Sequence, residues 1–280
     1  MDNEKISLQR VAKVIARAGL SSRRGAEKLI SEGRVKINGQ IITSPALNLR
    51  PSDKVLVDNK ELPTSQIARL WRYNKPIGLV TSEKDEKNRK VVFDNLPNNL
   101  PRVMSIGRLD LNSEGLLLLT NDGDLKRKLE LPSTGWTRKY RVRINGKPSD
   151  ENLKPLRTGI TLNNEKFKPM AISIDRQQGA NAWLTITLKE GRNREIRRAL
   201  NEIGFKVSRL IRISYGPFKL DQLKPNEVEE IRRAVLRDQL NNIFDLNSEK
   251  RSSQRTNNRD KKTFNSNVLN PSKKLKIRKK

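Results

Sequence analysis

Residues 107–123 read GRLDLNSEGLLLLTNDG, and this stretch decides the fold. Four leucines followed by Thr120 form an apolar run of strand length, and the Asn-Asp-Gly sequence after them is typical of a turn. The polar loop before the run places Asp110 at the edge of an apolar layer, where a carboxylate needs a cation or hydrogen-bond donors to stay ionised. Arg108 is near enough in sequence to be that cation, but it could equally face phosphate. The alternative is that Asp110 only caps a turn and that Arg108 is solvated.

A second unusual segment, EGRNREIRRAL, occupies residues 190–200. Its apolar residues recur at helical spacing and predict a helix over 194–203 with one buried stripe, formed by Ile196, Ala199, Leu200 and Ile203. At 100° per residue, Arg197 lies beside this stripe, where it can meet a half-buried carboxylate. Arg194 and Arg198 point away from the stripe and are better placed for phosphate. The alternative is that all these arginines are solvated charges at a helix end.

Short apolar or alternating runs around these segments predict further strands at 79–81, 116–120, 140–144, 171–174 and 183–188. Weaker helical patterns cover 124–131, 149–157 and 225–239. The sum predicts an α+β catalytic domain over 69–246, built on a mostly antiparallel sheet.

The first 60 residues form a separate pattern, a small helix-hairpin domain. One apolar face predicts a helix that ends at Gly19, and Ser21 or Ser22 can cap a second helix that ends near Gly33. An Asn38-Gly39 turn between two short apolar runs indicates a hairpin, and Val55–Val57 is a further strand. The second helix and its hairpin carry a basic set: Arg23, Arg24, Lys28, Arg34 and Lys36. Residues 61–68 are interpreted as a linker.

The composition excludes several classes of chemistry. The chain has 280 residues with no His and no Cys, which excludes a Ser-His-Asp triad, a His general base, disulfides, thiol catalysis and Cys-ligated zinc. Metal sites made of carboxylates alone stay possible. No apolar run reaches the roughly 18 residues of a membrane span, and the N-terminus lacks the apolar core of a signal peptide. We therefore expect a cytoplasmic protein that does not bind membranes.

The charge indicates a polyanionic partner. There are 59 Lys and Arg against 31 Asp and Glu, a formal net charge of +28. Cations that neutralise phosphates release counterions, which gives salt-dependent binding to nucleic acid, although compositional drift also yields lysine-rich surfaces. Residues 247–280 hold 12 basic and 2 acidic residues with few apolar ones, and are predicted to be a disordered basic tail that tethers RNA weakly.

The stretch LQRVAKVIARAGLSSRRGAEKLISEGRVKING, residues 8–39, resembles the small RNA-binding module first known from ribosomal protein S4. The resemblance implies that the basic set of the second helix and hairpin contacts structured RNA and positions it through phosphate contacts. The alternative for these residues is a solvated helix-hairpin face.

The rest of the chain resembles the pseudouridine synthases that act on ribosomal RNA and carry such a module. The resemblance rests on GRLDLNSEGLLLLTNDG together with NKPIGLVTS (74–82), RKYRVRI (138–144) and EGRNREIRR (190–198), in the family's order and spacing. It implies that Asp110 is the catalytic aspartate, that Tyr140 packs on the target base and that Arg197 pairs with the aspartate. It further implies that Leu210 lines the pocket and that Lys75-Pro76 is chiefly structural.

The implied reaction breaks the N1–C1′ bond of a uridine, turns the base and forms a C5–C1′ bond. It needs neither a cofactor nor a metal, and a carboxylate can drive it. Attack at C1′, attack at C6 and abstraction of a sugar proton stay open as first steps. The target must leave its stack, while Arg108, Arg194 and Arg198 hold the RNA backbone. Glu195 stands where many members have Gln, and we expect little consequence.

The REIRR sequence at 194–198 and the basic tail resemble the branch of the family that modifies large-subunit (23S) RNA. The substrate would be free ribosomal RNA or a pre-ribosomal particle. Activity on small-subunit RNA, a non-catalytic RNA-binding factor for ribosome assembly, and a charge-driven RNA chaperone are the alternatives. No coiled-coil heptad suggests self-association, so a monomer is expected.

Overall fold

A computed structural model of the chain describes residues 8–240. The predicted basic tail at 247–280 lies outside these residues. Within them, no helix is long and apolar enough to cross a membrane.

The N-terminal unit has its own apolar core. Its elements in chain order are β1 (Gln9–Arg10), α1 (Val11–Arg17), α2 (Arg23–Ser31), β2 (Val35–Ile37), β3 (Gln40–Ile42), β4 (Asn48–Leu49), β5 (Val55–Val57) and β6 (Lys60–Glu61). The Ser22 side chain accepts from the Gly25 N–H at 3.0 Å and caps α2, as its position predicts. The two helices pack on a four-stranded sheet of order β3-β2-β5-β6, and a β1–β4 pair closes the unit. Residues 62–69 form no helix or strand.

The second unit is built on one nine-stranded sheet. Its elements in chain order are β7 (Leu70–Lys75), β8 (Met104–Ile106), β9 (Glu114–Thr120), α3 (Gly123–Glu130), β10 (Arg138–Asn145), α4 (Asp150–Thr158), β11 (Ile160–Leu162), β12 (Glu165–Phe167), β13 (Ala171–Gln178), β14 (Asn181–Leu188), α5 (Glu195–Glu202), β15 (Val207–Tyr215), β16 (Phe218–Lys219), β17 (Val228–Glu230) and α6 (Arg233–Leu240). The main sheet order is β13-β14-β10-β15-β9-β7-β17, with β16 beside β15 and β8 beside β9. This confirms the α+β class with a mostly antiparallel sheet.

The leucine run of β9 lies at the centre of this unit. Leu116 and Leu118 belong to a core cluster on one face of the sheet, and Leu117 and Leu119 belong to a cluster on the other. Because both faces of the sheet are buried at β9, its side chains do not alternate between apolar and polar.

A parallel joint between β9 and β15 brings the two halves of the sheet together. Glu114 and Gly115 pair with Ile211 and Arg212 in the only parallel ladder among strands of the described region. Gly115 has a φ of 99°, and a Cβ there would overlap the carbonyl oxygen of Arg212. Only glycine accepts both that backbone conformation and that close approach. The loop before β9 therefore lies against β15.

Two sequence predictions of secondary structure are wrong. Residues 79–81 form a single bridge, from Val80 to Val91, instead of a strand. The 225–239 pattern is split into a strand, β17, and a helix, α6. Ion pairs across the sheet explain the strand, because Glu229 and Glu230 on β17 meet Arg72 and Arg69 at the neighbouring β7.

Candidate active site

Asp110 lies in the loop between β8 and β9. The Ser113 N–H donates to the Asp110 carbonyl at 3.0 Å and closes a turn. The preceding Leu109 is buried, and its carbonyl accepts from the Thr81 hydroxyl at 2.8 Å. The main chain on both sides of Asp110 is thereby fixed, while 37% of its side chain stays exposed.

Lys75 anchors this loop from below. Its side chain is fully buried, and the ammonium group donates to three main-chain carbonyls: Pro76 at 2.9 Å, Asp110 at 3.2 Å and Ser113 at 2.8 Å. Burial lowers the pKa of Lys75 to about 8, against the opposing field of Asp110 and Glu114. The structural role expected for Lys75-Pro76 is therefore specific: Lys75 holds both ends of the Asp110 turn.

The Asp110 carboxylate faces a cleft of about 490 Å³. The cleft brings together five residues that the sequence singled out: Arg108, Asp110, Tyr140, Arg194 and Leu210. Tyr140 on β10 pairs directly with Arg212 on β15, and Leu210 precedes that arginine by two residues on the same strand. An aromatic ring and a leucine thus form the apolar wall of a cleft whose rim is cationic.

The two arginines nearest Asp110 differ from the sequence-based assignment. The Arg194 Nη1 lies 4.0 Å from Asp110 Oδ2, while Arg197 donates to the carbonyls of Asn112 at 2.6 Å and Val207 at 3.1 Å. The helical projection placed Arg194 inside the helix, but α5 begins at Glu195 and Arg194 has a left-handed backbone with φ 49°. That conformation turns its side chain toward the cleft.

Arg197 still acts on the same loop. Its contact with Asn112 joins α5 to the turn that carries Asp110. Burial lowers the pKa of Arg197, the nearby Arg194 adds to this, and Asp110 opposes it. Arg197 is therefore close enough to Asp110 for electrostatic interaction, without an ion pair within 4 Å.

Arg198 lies outside the cleft, contrary to its expected place beside Arg194. Its guanidinium is 2.8 Å from Glu165 and stacks 4.8 Å from the centre of the Phe167 ring. The β11–β12 hairpin, which supplies both partners, has no sequence pattern that links it to α5.

Sequence reasoning did not assign four cations that line the cleft: Lys126, Arg138, Arg192 and Arg212. Lys126 forms an ion pair with Glu130 on α3, and Arg138 donates to the Tyr215 hydroxyl at 3.0 Å. Arg212 is 3% exposed. The signal for Arg212 was weak, because residues 207–215 mix apolar and polar side chains and include a second arginine, Arg209.

Glu195 lies in an environment that the sequence did not predict. It is 3% exposed and lines the cleft wall, with Oε2 accepting from the Arg192 N–H at 3.0 Å and Oε1 buried without a hydrogen bond. Burial raises the pKa of Glu195 to about 7; the Arg192 N–H opposes the rise and the neighbouring Glu190 adds to it. A carboxyl group thus titrates near neutral pH inside the cleft wall.

Replacing Glu195 by glutamine should remove a pH-dependent loss of stability. With its pKa raised to about 7 in the folded state, the wild-type carboxyl stabilises the fold fully below its unfolded pKa and loses that contribution as pH rises through 7. We expect Glu195→Gln to gain about 2 kcal/mol over wild type between pH 5 and pH 8. Urea unfolding at both pH values measures this, with the exposed Glu202→Gln on the same helix as control. The prediction would be contradicted if the unfolding free energies of Glu195→Gln and wild type differed by the same amount at pH 5 and at pH 8.

The basic set of the N-terminal unit differs in how far its side chains are paired, and Lys28 on α2 already lies 3.7 Å from Glu32. Arg23, Arg24 and Lys28 are exposed on α2. Arg34 forms a two-bond ion pair with Asp58, at 2.7 and 2.6 Å, and Lys36 donates to Asn59 at 2.9 Å. The helix therefore offers more uncompensated charge than the hairpin.

The two units meet at a second cavity of about 310 Å³. Lys13 on α1 forms an ion pair with Asp124 on α3 at 2.7 Å, and Arg23 and Arg24 line the same cavity. The exposed arginines of α2 thus lie next to the second unit.

Family comparisons agree with these two units. Residues 69–202 match the model of the RNA pseudouridylate synthase family, and residues 9–55 match the S4 domain. An uncharacterized RNA pseudouridine synthase of Rickettsia bellii is 51% identical over 228 residues, which cover 81% of this chain and 99% of that protein. The ribosomal large subunit pseudouridine synthase B of Salmonella typhi is 40% identical over 225 residues, 78% of this chain and 77% of that protein.

A solved structure supports the same relationship. The crystal structure of a pseudouridylate synthase superimposes with a TM-score of 0.59 at 27% identity, over 82% of this chain and 99% of that one. The chain belongs to the family of RNA pseudouridine synthases that carry an N-terminal S4 domain, and its activity is the isomerisation of uridine in RNA.

Proposed function

We propose that the enzyme converts a specific uridine of ribosomal RNA to pseudouridine, that its target lies in the large-subunit (23S) RNA, and that Asp110 drives the reaction without a cofactor. The choice of RNA is supported by the 40% identity to a protein named as a large-subunit synthase over 78% of the chain. The net charge of +28 fits a substrate of this size.

One observation carries the assignment of Asp110. It is a half-exposed carboxylate in a cleft of about 490 Å³, on a turn fixed from both sides, and it faces an aromatic ring and a guanidinium. A nucleophile needs such a fixed position within reach of its target. Glu130 and Glu195 also line the cleft, but Glu130 is paired with Lys126 and Glu195 is buried.

The surrounding residues divide the remaining tasks. Tyr140 stacks on the flipped uracil, and Leu210 forms the apolar side of the base pocket. Arg108 and Arg194 hold the backbone of the flipped nucleotide, and Arg198 contacts RNA that extends beyond the cleft. Residues 1–60 anchor the RNA through α2 and the hairpin, 61–68 link the domains, 69–246 form the catalytic domain, and the basic tail at 247–280 adds affinity. The enzyme acts as a cytoplasmic monomer.

Mapping of pseudouridine in ribosomal RNA tests this proposal. Carbodiimide treatment and primer extension on RNA from strains with and without the gene should reveal one site that is lost in large-subunit RNA and regained on complementation. A lost site in small-subunit RNA would move the target to the other subunit. Unchanged modification in both RNAs would remove ribosomal RNA as the substrate.

Replacing Arg197 by methionine should impair turnover more than RNA binding. The variant loses one hydrogen bond that ties α5 to the Asp110 turn, through Asn112, and one that ties α5 to β15, through Val207. We expect kcat to fall about 30-fold, because misplacing a reacting group by a fraction of an ångström is costly. RNA affinity should stay within about threefold, since one cation among many contacts is lost. Single-turnover kinetics and filter binding measure the two effects, with Arg194→Met in parallel. A variant whose kcat is unchanged removes Arg197 from the site.

A further inference from the structure

Arg212 occupies an unusual position in the cleft. It lies on β15 directly opposite Tyr140 of β10, and its side chain is 3% exposed while still lining the cleft. The buried guanidinium is therefore next to the ring that we assign to the base, and deeper than the exposed Arg108 and Arg194 of the rim.

The guanidinium is held firmly but only partly satisfied. Its Nε donates to the Leu116 carbonyl at 2.7 Å, and its Cζ lies 5.2 Å from the centre of the Tyr215 ring. Its Nη2 is buried without a hydrogen bond, and no carboxylate of residues 8–240 lies within 4 Å of it. Lys75, the other cation buried beside this loop, has three carbonyl partners.

A buried, partly unpaired guanidinium destabilises the fold unless a ligand binds it. A buried charge without a counter-ion and a buried donor without an acceptor both destabilise a fold, so natural proteins seldom keep them without a function. The orphaned Nη2 in a cleft wall thus points to a ligand with an acceptor oxygen that carries negative charge. Its depth favours the base over a backbone phosphate, which the cations of the rim can reach.

We propose that Arg212 donates to O4 of the target uracil, holds the base for reaction and stabilises the charge that develops on that oxygen. This inference rests on the proposed function and assigns a substrate contact within the same site.

The chemistry selects O4 whichever first step operates. If Asp110 bonds to C1′, or removes a sugar proton so that a glycal forms, N1 keeps the electron pair of the broken N1–C1′ bond. The leaving uracil anion then spreads its charge over O2 and O4. If Asp110 bonds to C6, the C5=C6 electrons move through C4 to O4. O4 is the oxygen charged in all three routes, and a pre-oriented cation there lowers each barrier.

The contact would also read the base. Cytosine carries an amino group in place of O4, which would set donor against donor at Nη2. A site built around a hydrogen-bonding partner rejects an analogue that leaves its buried donor unpaired. Arg212 is thereby a specificity-determining residue as well as a catalytic one.

Sulfur substitution in the RNA tests the contact atom by atom. We would transcribe the ribosomal RNA with uridine, 2-thiouridine or 4-thiouridine and measure single-turnover kcat by nucleoside mass spectrometry. Wild type should slow about 10-fold on the 4-thio RNA, because sulfur is a weak acceptor. Arg212→Met should be about 10²-fold slower on uridine RNA, with no further loss on 4-thio RNA. Both enzymes should respond equally to 2-thio RNA.

Two controls keep the outcome decisive. Arg141→Met removes an exposed arginine of β10 that stacks on Trp183, away from the cleft, and should retain the wild-type response. Arg212→Lys keeps the charge if the methionine variant fails to fold, and should show a reduced 4-thio penalty. An equal 4-thio penalty in wild type and in a folded Arg212 variant overturns the O4 contact alone. Absence of pseudouridine with wild type on uridine RNA overturns the proposed function with it.

Discussion

Substituting asparagine for Asp110 is expected to abolish isomerisation while the protein stays folded and bound to RNA. The change removes one negative charge and keeps the size of the side chain. The Asp110 carbonyl, which accepts from Lys75 and Ser113, is unaffected, so the turn should persist. An amide cannot serve as the nucleophile or as the base in any of the three routes. The loss in kcat should therefore be about 10⁴-fold or more, as for other essential nucleophiles.

The measurement separates catalysis from assembly. A strain that carries only Asp110→Asn should lack the carbodiimide-reactive site, and the purified variant should bind ribosomal RNA within about threefold of wild type, since many phosphate contacts remain. Asp175→Asn, on the exposed edge strand β13, is the matched control and should restore the site fully. Normal modification in the Asp110→Asn strain would refute the assignment. Rescue of growth or ribosome assembly by this variant would favour a non-catalytic role in addition.

The sequence predicts best those elements whose signals are local. The helices of the N-terminal unit, the Asn38-Gly39 hairpin and the leucine run of β9 all follow from spacing within a few residues. The family resemblance predicted that Asp110, Tyr140 and Leu210 belong to one site, and all three line the cleft. Their separation along the chain gave no reason to group them.

Residues with distant partners account for what the sequence missed. The strand β7 was not predicted, because its polar residues interrupt the apolar pattern. One of them, Arg72, is paired with Asp221 and Glu229, which are about 150 residues away in the sequence. The strand β15 was missed for the same reason, because Arg209 and the Nε of Arg212 find their partners, Glu114 and Leu116, far away in sequence on β9. The positions of Arg194 and Arg197 relative to Asp110 depend on where α5 begins, and helix boundaries are the least certain part of a periodicity argument.

Replacing Lys75 by methionine is expected to cause the largest loss of stability among these variants. Methionine fills the buried space but leaves the Pro76 and Ser113 carbonyls without a donor, and the Asp110 carbonyl keeps only the Ser113 N–H. Each buried unpaired carbonyl costs about 1–3 kcal/mol, so a total of about 3–5 kcal/mol is expected after partial relaxation. Because two of the carbonyls belong to the Asp110 turn, the surviving folded enzyme should also turn over at least about 10²-fold more slowly.

The pH dependence of stability tests whether the Lys75 ammonium group is destabilised by its burial. Since burial lowers the pKa of Lys75 to about 8 in the folded state, the folded protein holds fewer protons than the unfolded chain between pH 8 and the ordinary lysine pKa. Wild-type stability gains from this group as pH rises through that window, and Lys75→Met lacks the gain. The difference in unfolding free energy between the two proteins should therefore widen from pH 8 to pH 10. Urea titrations at both pH values measure it, and Lys224→Met, an exposed lysine, corrects for global charge. A constant difference would mean that the Lys75 pKa is the same in the folded and unfolded states, because stability depends on pH only where the two states bind different numbers of protons. Its hydrogen bonds to the three carbonyls would then offset the cost of burying the ammonium group.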